Sequence, residues 1–403
     1  MPVAFPTLDF HEFHRSELPR RLASGYGALA AKDDLERIGP LAFRIREGGA
    51  YTYVPKPGGV EVVEGEDAAR TVIEISRDLW QDVVHELESP PGLLYGGKVA
   101  CPRGNAMRFV RWEPALRAMY QGRPIFDPAH VLLRDRAGAP LDVRRSFRPD
   151  DDREEMAHFL RTAGFLLARE VCSPEEVADF RRHGEALRAR AVEGDKKSWW
   201  GKNRAGDSVL CRVTHAGRIP QLKSLPDDPR LRQLAALSDH ELVPRGLRKE
   251  DGVSLLIKNP EMVEGLSDIP WHRDCGMGGH ASMCPILIFS IYLHPSRPES
   301  GELRMLAGSH ESSYGFIDPN DPNAPKGVRL EANPGDVSIH YGDIMHAAPP
   351  PTSSTGPFRQ CLLVGYARAE AYNHRGDSSY NDVLLSRDDG QVEHLEDLVV
   401  LKN

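Results

Sequence analysis

The stretch Asn333–Pro350, NPGDVSIHYGDIMHAAPP, is where the reading of the fold turns. Val337, Ile339 and Tyr341 alternate with Ser338 and His340, the period-two pattern of a half-buried strand. A Gly-Asp turn at Gly342-Asp343 follows, and past it stands His346. A lone imidazole holds a divalent ion poorly, so partners are needed. They lie upstream in IPWHRDCGMGGH, Ile269–His280, where His272 and Asp274 are two residues apart. In an extended segment that spacing turns both side chains to one face.

Two His and one carboxylate form the facial triad of non-haem Fe(II) oxygenases, which leaves coordination positions open. A structural zinc site would instead want four closed ligands, preferably with Cys. The six cysteines (Cys101, Cys172, Cys211, Cys275, Cys284, Cys361) are scattered without a CxxC pair. They suggest neither a thiolate site nor a disulfide framework, and a reducing cytoplasm is expected. Of the sixteen histidines, His280, His294 and His310 read as surface or core residues, while His340 competes with His346 for the distal ligand position.

The segments around these residues carry further signals. PILIFSIYLHPSRPESGELRMLAGSH follows the HxD, with Gly301, Leu303 and Gly308-Ser309-His310 in a G-x-L-x-x-x-x-G-S-H pattern. Gly335 and His346 then bracket the Gly-Asp strand, and Arg359 opens FRQCLLVGYA. This ordered succession, from about Glu154 to Ala369, resembles the phytanoyl-CoA dioxygenase family of Fe(II)/2-oxoglutarate oxygenases. On the family's spacing His346 is the distal ligand and His340 falls where an aromatic is usual. Ala307 stands where Pro is commoner, and Ala347-Ala348 replace the usual Gly-Ser, which removes a hydroxyl that helps hold the cosubstrate in some members.

The resemblance implies a mainly β catalytic domain, a double-stranded β-helix of jelly-roll or cupin type with flanking helices. It implies Fe(II) as cofactor, 2-oxoglutarate and O2 as cosubstrates, and release of succinate and CO2 as an unactivated C–H is hydroxylated. His272, Asp274 and His346 would be metal ligands and catalytic residues. Asp274 argues for oxygenation, because the related halogenases lack this carboxylate.

The distal carboxylate of 2-oxoglutarate needs a buried cation, and Arg359 can pair with it bidentately. Alternation in RQCLLVGY puts Arg359 on one face with Cys361, Leu363 and Gly365. Ser290, which interrupts the apolar run PILIFSIYL, and Asn259 in LLIKNP are further cosubstrate-binding candidates. The adjacent Trp199 and Trp200 in KKSWWGKNRAG, and likewise Tyr314 and Phe316, suit either an aromatic lid or simple packing.

A chain of 403 residues exceeds what one core usually serves. The runs AFRI, AYTYV, VEVV and RTVIEIS read as strands, RDLWQDVVHELE as a helix and WEPALRAMY as an amphipathic stretch. With YGGKV before the last of these, the order resembles the sterol-carrier-protein fold, which implies an apolar tunnel. The expected organisation is 1–130 as a smaller sterol-carrier-like α+β domain, 131–153 as an exposed linker, and 154–403 as the dioxygenase domain. A chain beginning near Phe147 is then expected to fold and bind Fe(II) by itself.

Ser173, Pro174 and Glu176 are strong start signals for a helix. The net charge of −8 and the lack of a basic block disfavour nucleic acid as a partner. No apolar run is long enough to span a bilayer, and the N-terminus lacks a signal-peptide layout. The expected partner is a small, apolar metabolite. Two other classes fit the residues: a lipid-binding or scaffold protein with a vestigial metal site, and a metal-dependent hydrolase or isomerase.

Overall fold

The structure, a computed structural model, describes residues 5–30, 35–245, 252–265, 267–275, 285–315, 317, 321–368, 388–392 and 395. The first sheet has five strands in the order β3-β2-β1-β4-β5: β1 Leu41–Ile45, β2 Ala50–Lys56, β3 Gly59–Glu64, β4 Thr71–Ile75 and β5 Ala100–Arg103. Pairing is antiparallel except between β1 and β4, which run parallel. Ser76 caps the helix Arg77–Val84 by accepting from the Leu79 N–H, as a short hydroxyl side chain does at a helix start.

A longer helix, Met107–Gln121, ends at Gly122 in the left-handed conformation that glycine adopts most cheaply. Its face toward the sheet is aromatic. Phe109, Trp112 and Tyr120 pack with Phe10, Phe13, Phe43, Tyr53 and Trp80 into one core between sheet and helices.

The segment after it is laid along the second half of the chain. Phe126 N–H donates to the Ser313 carbonyl and its ring lies 5.1 Å from that of Tyr314. Residues 127–146 are mostly half-exposed or exposed. Phe147, buried, bridges to Ala168.

Beyond this point the chain is mostly β. Nine strands form one sheet in the order β11-β7-β8-β10-β18-β13-β16-β6, with β9 beside β18. The strands are β6 Phe165–Ala168, β7 Ser198–Asn203, β8 Ser208–Val213, β9 Val243–Pro244, β10 Val253–Ile257, β11 Met262–Glu264, β13 Ile286–Tyr292, β16 Val337–Tyr341 and β18 Gln360–Ala367. A four-stranded sheet, β12-β17-β14-β15, is built from β12 Ile269–His272, β14 Leu303–Met305, β15 Val328–Leu330 and β17 His346–Ala348. All pairings in both sheets are antiparallel.

The helices Arg153–Ala163 and Pro174–Arg188 contribute to the core of this half. The second begins with the Ser173/Glu176 capping box, two reciprocal side-chain-to-backbone bonds that satisfy orphan N–H groups.

The strand Val337–Tyr341 departs from its expected half exposure: all five residues are buried. One face carries Val337, Ile339 and Tyr341 into the core. The other meets polar partners, with Ser338 bonded to the Tyr292 hydroxyl and His340 against Asp274.

The two halves share more than a joint. Leu94, Tyr95 and Val110 of the first pack with Trp199, Val392 and Leu395 of the second, and Ile269 packs against the same cluster. Cutting the chain near Phe147 would remove Leu94, Tyr95 and Val110 from this shared apolar cluster. Among the described residues no helix is long and apolar enough to cross a membrane.

Candidate metal centre

His272 ends β12, His346 opens β17, and the two strands pair with these residues opposite each other. Asp274 follows in the bend after β12. One ligand atom from each of His272, Asp274 and His346 lies within 4.8 Å of the others, which makes them a group that could hold a metal ion. The imidazole centroids of His272 and His346 are 4.1 Å apart. Asp274 Oδ1 is 3.8 Å from His272 Nε2, and its Oδ2 is 3.7 Å from His346 Nε2.

Hydrogen bonding sets the tautomers. His272 Nδ1 lies 2.8 Å from the Pro270 carbonyl and His346 Nδ1 lies 3.1 Å from that of Ile344. A carbonyl only accepts, so both Nδ1 atoms carry the proton and both Nε2 lone pairs are free for a metal. Burial pushes the pKa of both imidazoles down. Burial alone would raise that of Asp274, but the imidazoles of His346, His340 and His272 outweigh it and hold the carboxyl well below the usual range. Neutral imidazoles and an ionised carboxylate are the donor forms a divalent cation requires.

His340 is buried on β16 with Nε2 3.2 Å from Asp274 Oδ2, so it braces the carboxylate from the side of the large sheet. Strand register extends that observation. His340 pairs with Ile288, Ile288 with Gly365, Leu363 with Ser290 and Ser254, and Cys361 with Tyr292 and Leu256. Leu256 in turn pairs with Arg212. Paired and alternate residues share a face, so all of these line the side of the sheet that looks at Asp274.

Arg359 heads this face and is 1 % exposed. Its Nε–H donates to the Gly301 carbonyl at 2.7 Å and Nη1 lies 4.0 Å from Cys361 Sγ, but Nη2 has no partner. A buried guanidinium with no carboxylate opposite it among the described residues is a strong mark of an anion site.

Ser290 lies on the metal-facing side and is buried. Asn259 is spent elsewhere: its amide donates to the Leu210 carbonyl at 2.9 Å. Its neighbour Lys258, which no motif singles out, is the buried one. Lys258 Nζ ties Ser267, Asp268 and the Ala348 carbonyl together, joining the approaches to His272 and from His346. Burial, only partly offset by Asp268, pulls its pKa down to about 8.

Trp199 packs between the halves, and Trp200 N–H donates to Ser198 Oγ. His310 stacks on Tyr341 away from the cluster. His280 and Phe316 lie outside the described residues.

The residue between the first two ligands points the other way. Arg273 is 7 % exposed and bonds Asp343 Oδ1 at 2.7 Å and Glu113 of the front half's long helix. Asp343 Oδ2 takes Arg117 at 3.0 Å and Arg123 at 2.9 Å, and both of these also hold Glu86. Three carboxylates and three guanidinium groups thus form one buried network behind the metal strands. The three guanidinium groups outweigh burial and lower the Asp343 pKa.

The family described as Phytanoyl-CoA dioxygenase (PhyH) matches residues 160–361, half of the chain. The chain belongs to that family, whose members are Fe(II)/2-oxoglutarate-dependent and use O2.

Among solved structures, AviO1 from Streptomyces viridochromogenes Tue57 is 25% identical, with a TM-score of 0.43 over 57% of this chain and 98% of its own. EvdMO1 is 24% identical at a TM-score of 0.42, over 52% of this chain and 48% of its own, so the match spans about half of that protein. EctD from S. alaskensis with 2-oxoglutarate and 5-hydroxyectoine is 18% identical at a TM-score of 0.45, over 64% and 92%. No curated protein matches in sequence.

Proposed function

We propose that this chain hydroxylates an unactivated C–H of a small metabolite, consuming 2-oxoglutarate and O2 and releasing succinate and CO2. The observation that carries the reading is the convergence of His272, Asp274 and His346 on one point, with the unpartnered Nη2 of Arg359 on the same interior. Iron with its cosubstrates supplies the oxidising power for C–H cleavage. The chain's own residues do the rest. His272 and His346 present neutral Nε2 donors, each oriented by a carbonyl at Nδ1. Asp274 offers a carboxylate kept ionised by its neighbours. Arg359 receives the distal carboxylate of 2-oxoglutarate, and Ser290 lines the same wall.

In this reading the two antiparallel sheets form a double-stranded β-helix with the metal between them. Asp274 favours oxygen transfer over halogenation, because its carboxylate fills the position a halide would need. The sterol-carrier-like reading of residues 1–130 is kept for sheet and helix order alone; the aromatic interior and the charge network support a bracing task rather than a carrying one.

The test compares His346→Ala with His340→Ala. The first is expected to lose Fe(II) binding and 2-oxoglutarate-dependent succinate formation. The second is expected to keep a measurable fraction of both, with matching circular dichroism spectra. The opposite pattern would overturn the assignment.

A further inference from the structure

On the metal-facing side of the large sheet, Ile288, Leu363, Gly365, Leu256 and Arg212 are all half-exposed. On the opposite side Leu287, Phe289, Val364, Leu255 and Val213 are buried in the core. The wall facing the metal is therefore the more open one, and its half-exposed residues Leu256, Ile288 and Leu363 are apolar.

Two of that wall's cations have no carboxylate partner among the described residues. Arg212 stacks 4.7 Å above the Trp199 ring and donates to Ser254 Oγ from Nε at 3.2 Å and Nη2 at 2.9 Å. Both contacts hold the guanidinium beside Ser254, which pairs with Leu363 as Leu363 does with Ser290. Arg245 follows β9 and donates its backbone N–H to Gly365. A Cβ on Gly365 would fall 2.8 Å from Arg245 Cδ. The missing side chain therefore leaves room for the arginine stem to cross the metal-facing wall in the row of Ile288 and His340. Among the described residues neither guanidinium has a carboxylate partner. Half-buried guanidinium groups without counter-charge are poised for an anion that arrives with a ligand.

We infer that the substrate is an anionic amphiphile, with an apolar body lying over Leu256, Leu363 and Ile288 and its anion held between Arg212 and Arg245. This rests on the oxygenase reading and names the substrate class for the same site. Arg359 is not counted, since the cosubstrate occupies it in that reading. Arg245 lies beside β18, two strands from His340 on β16, and Arg212 lies on β8, four strands away. At about 4.8 Å per strand the anion sits roughly 10–20 Å from the metal along the sheet. The oxidised carbon is accordingly several bonds removed from the anion.

The test uses the metal-free full chain and two fluorescent probes of one shape. 8-Anilinonaphthalene-1-sulfonate should bind at least tenfold more tightly than neutral N-phenyl-1-naphthylamine. Dodecanoate or dodecyl phosphate should displace it and dodecan-1-ol should not; the stronger of the two competitors identifies the headgroup. Arg212→Gln and Arg245→Gln should each weaken the sulfonate about tenfold, the size of one charged hydrogen-bonded contact, and leave the neutral probe unchanged. Arg212→Lys should recover part of the loss. Equal binding of the two probes, or sulfonate binding indifferent to both substitutions in proteins with unchanged melting, would sink the idea. Co(II) binding and succinate formation are scored separately on the wild type, and their absence would count against the oxygenase reading alone.

Discussion

Both halves of the molecule bury histidines, hydroxyls and charges, yet they spend them differently. In the front half His14 donates from Nδ1 to the Phe10 carbonyl, and its Nε2 receives the Tyr53 hydroxyl at 2.7 Å. Tyr53 is bonded in turn to the Tyr120 hydroxyl. The chain of bonds closes on itself among aromatic rings. In the second half His272 and His346 start the same way, each with Nδ1 on a carbonyl, but their Nε2 atoms face a shared point, and Arg359 keeps a bare N–H group. Saturated buried polar groups specify a core; unsaturated ones mark a site.

The comparison breaks most readily at the joint. Removing residues 1–146 takes away Glu86, Glu113, Arg117 and Arg123, leaving Arg273 and Asp343 only each other near the metal ligands. The remaining chain is expected to be insoluble, or to bind Fe(II) at least a hundredfold more weakly than the whole protein, as measured by Co(II) titration. Full affinity in a soluble fragment would show that the halves are independent.

Single substitutions then sharpen the contrast. Arg359→Leu should raise the 2-oxoglutarate requirement roughly ten- to hundredfold, the loss of a charged hydrogen bond of about 1.5–3 kcal/mol. Its melting temperature should not fall, because a buried charge without a counter-ion is removed. Tyr53→Phe should do the reverse. Leaving His14 Nε2 without a donor costs about 1–3 kcal/mol of stability, read as a lower melting temperature with cosubstrate dependence unchanged. If both variants shift the same quantity, the division drawn above fails.

The last contrast is one of pH. Burial pulls the His14 pKa from 6.5 down to about 4, with the Phe10 carbonyl opposing. The unfolded state therefore binds the extra proton first as pH falls. The stability this histidine holds is complete above pH 6.5 and is lost as pH drops through about 4, roughly 3 kcal/mol in all. Denaturant melts of wild type and His14→Phe should converge across that window. Parallel curves would mean that His14 is not the titrating group.

Much of this was legible in the residues. The HxD pair stood out by its spacing, while the choice of His346 over His340 and the weight given to Arg359 came from the resemblance to the family. What stayed hidden depends on register and distance. Asn259 and Lys258 are neighbours on the chain, and a shift of one residue decides which of them turns inward. Arg273 stands between two ligands with no pattern of its own, and Asp343 belongs to a Gly-Asp turn. Their partners Glu113, Arg117 and Arg123 sit in a helix and its exit where alternating charges suit a solvent-facing surface equally well. No local pattern tells a solvated arginine from one that crosses a joint.

The balanced six-group network also limits how this architecture can be recombined. Transplanting the catalytic sheets onto another carrier, or the front sheet onto another oxygenase, would import Arg273 and Asp343 without Glu113 and Arg117, or the converse. Either chimera buries ionised groups without the cross-joint partners that hold them here. The unit that can be exchanged intact is therefore the pair of halves, with the seam between them carried along whole.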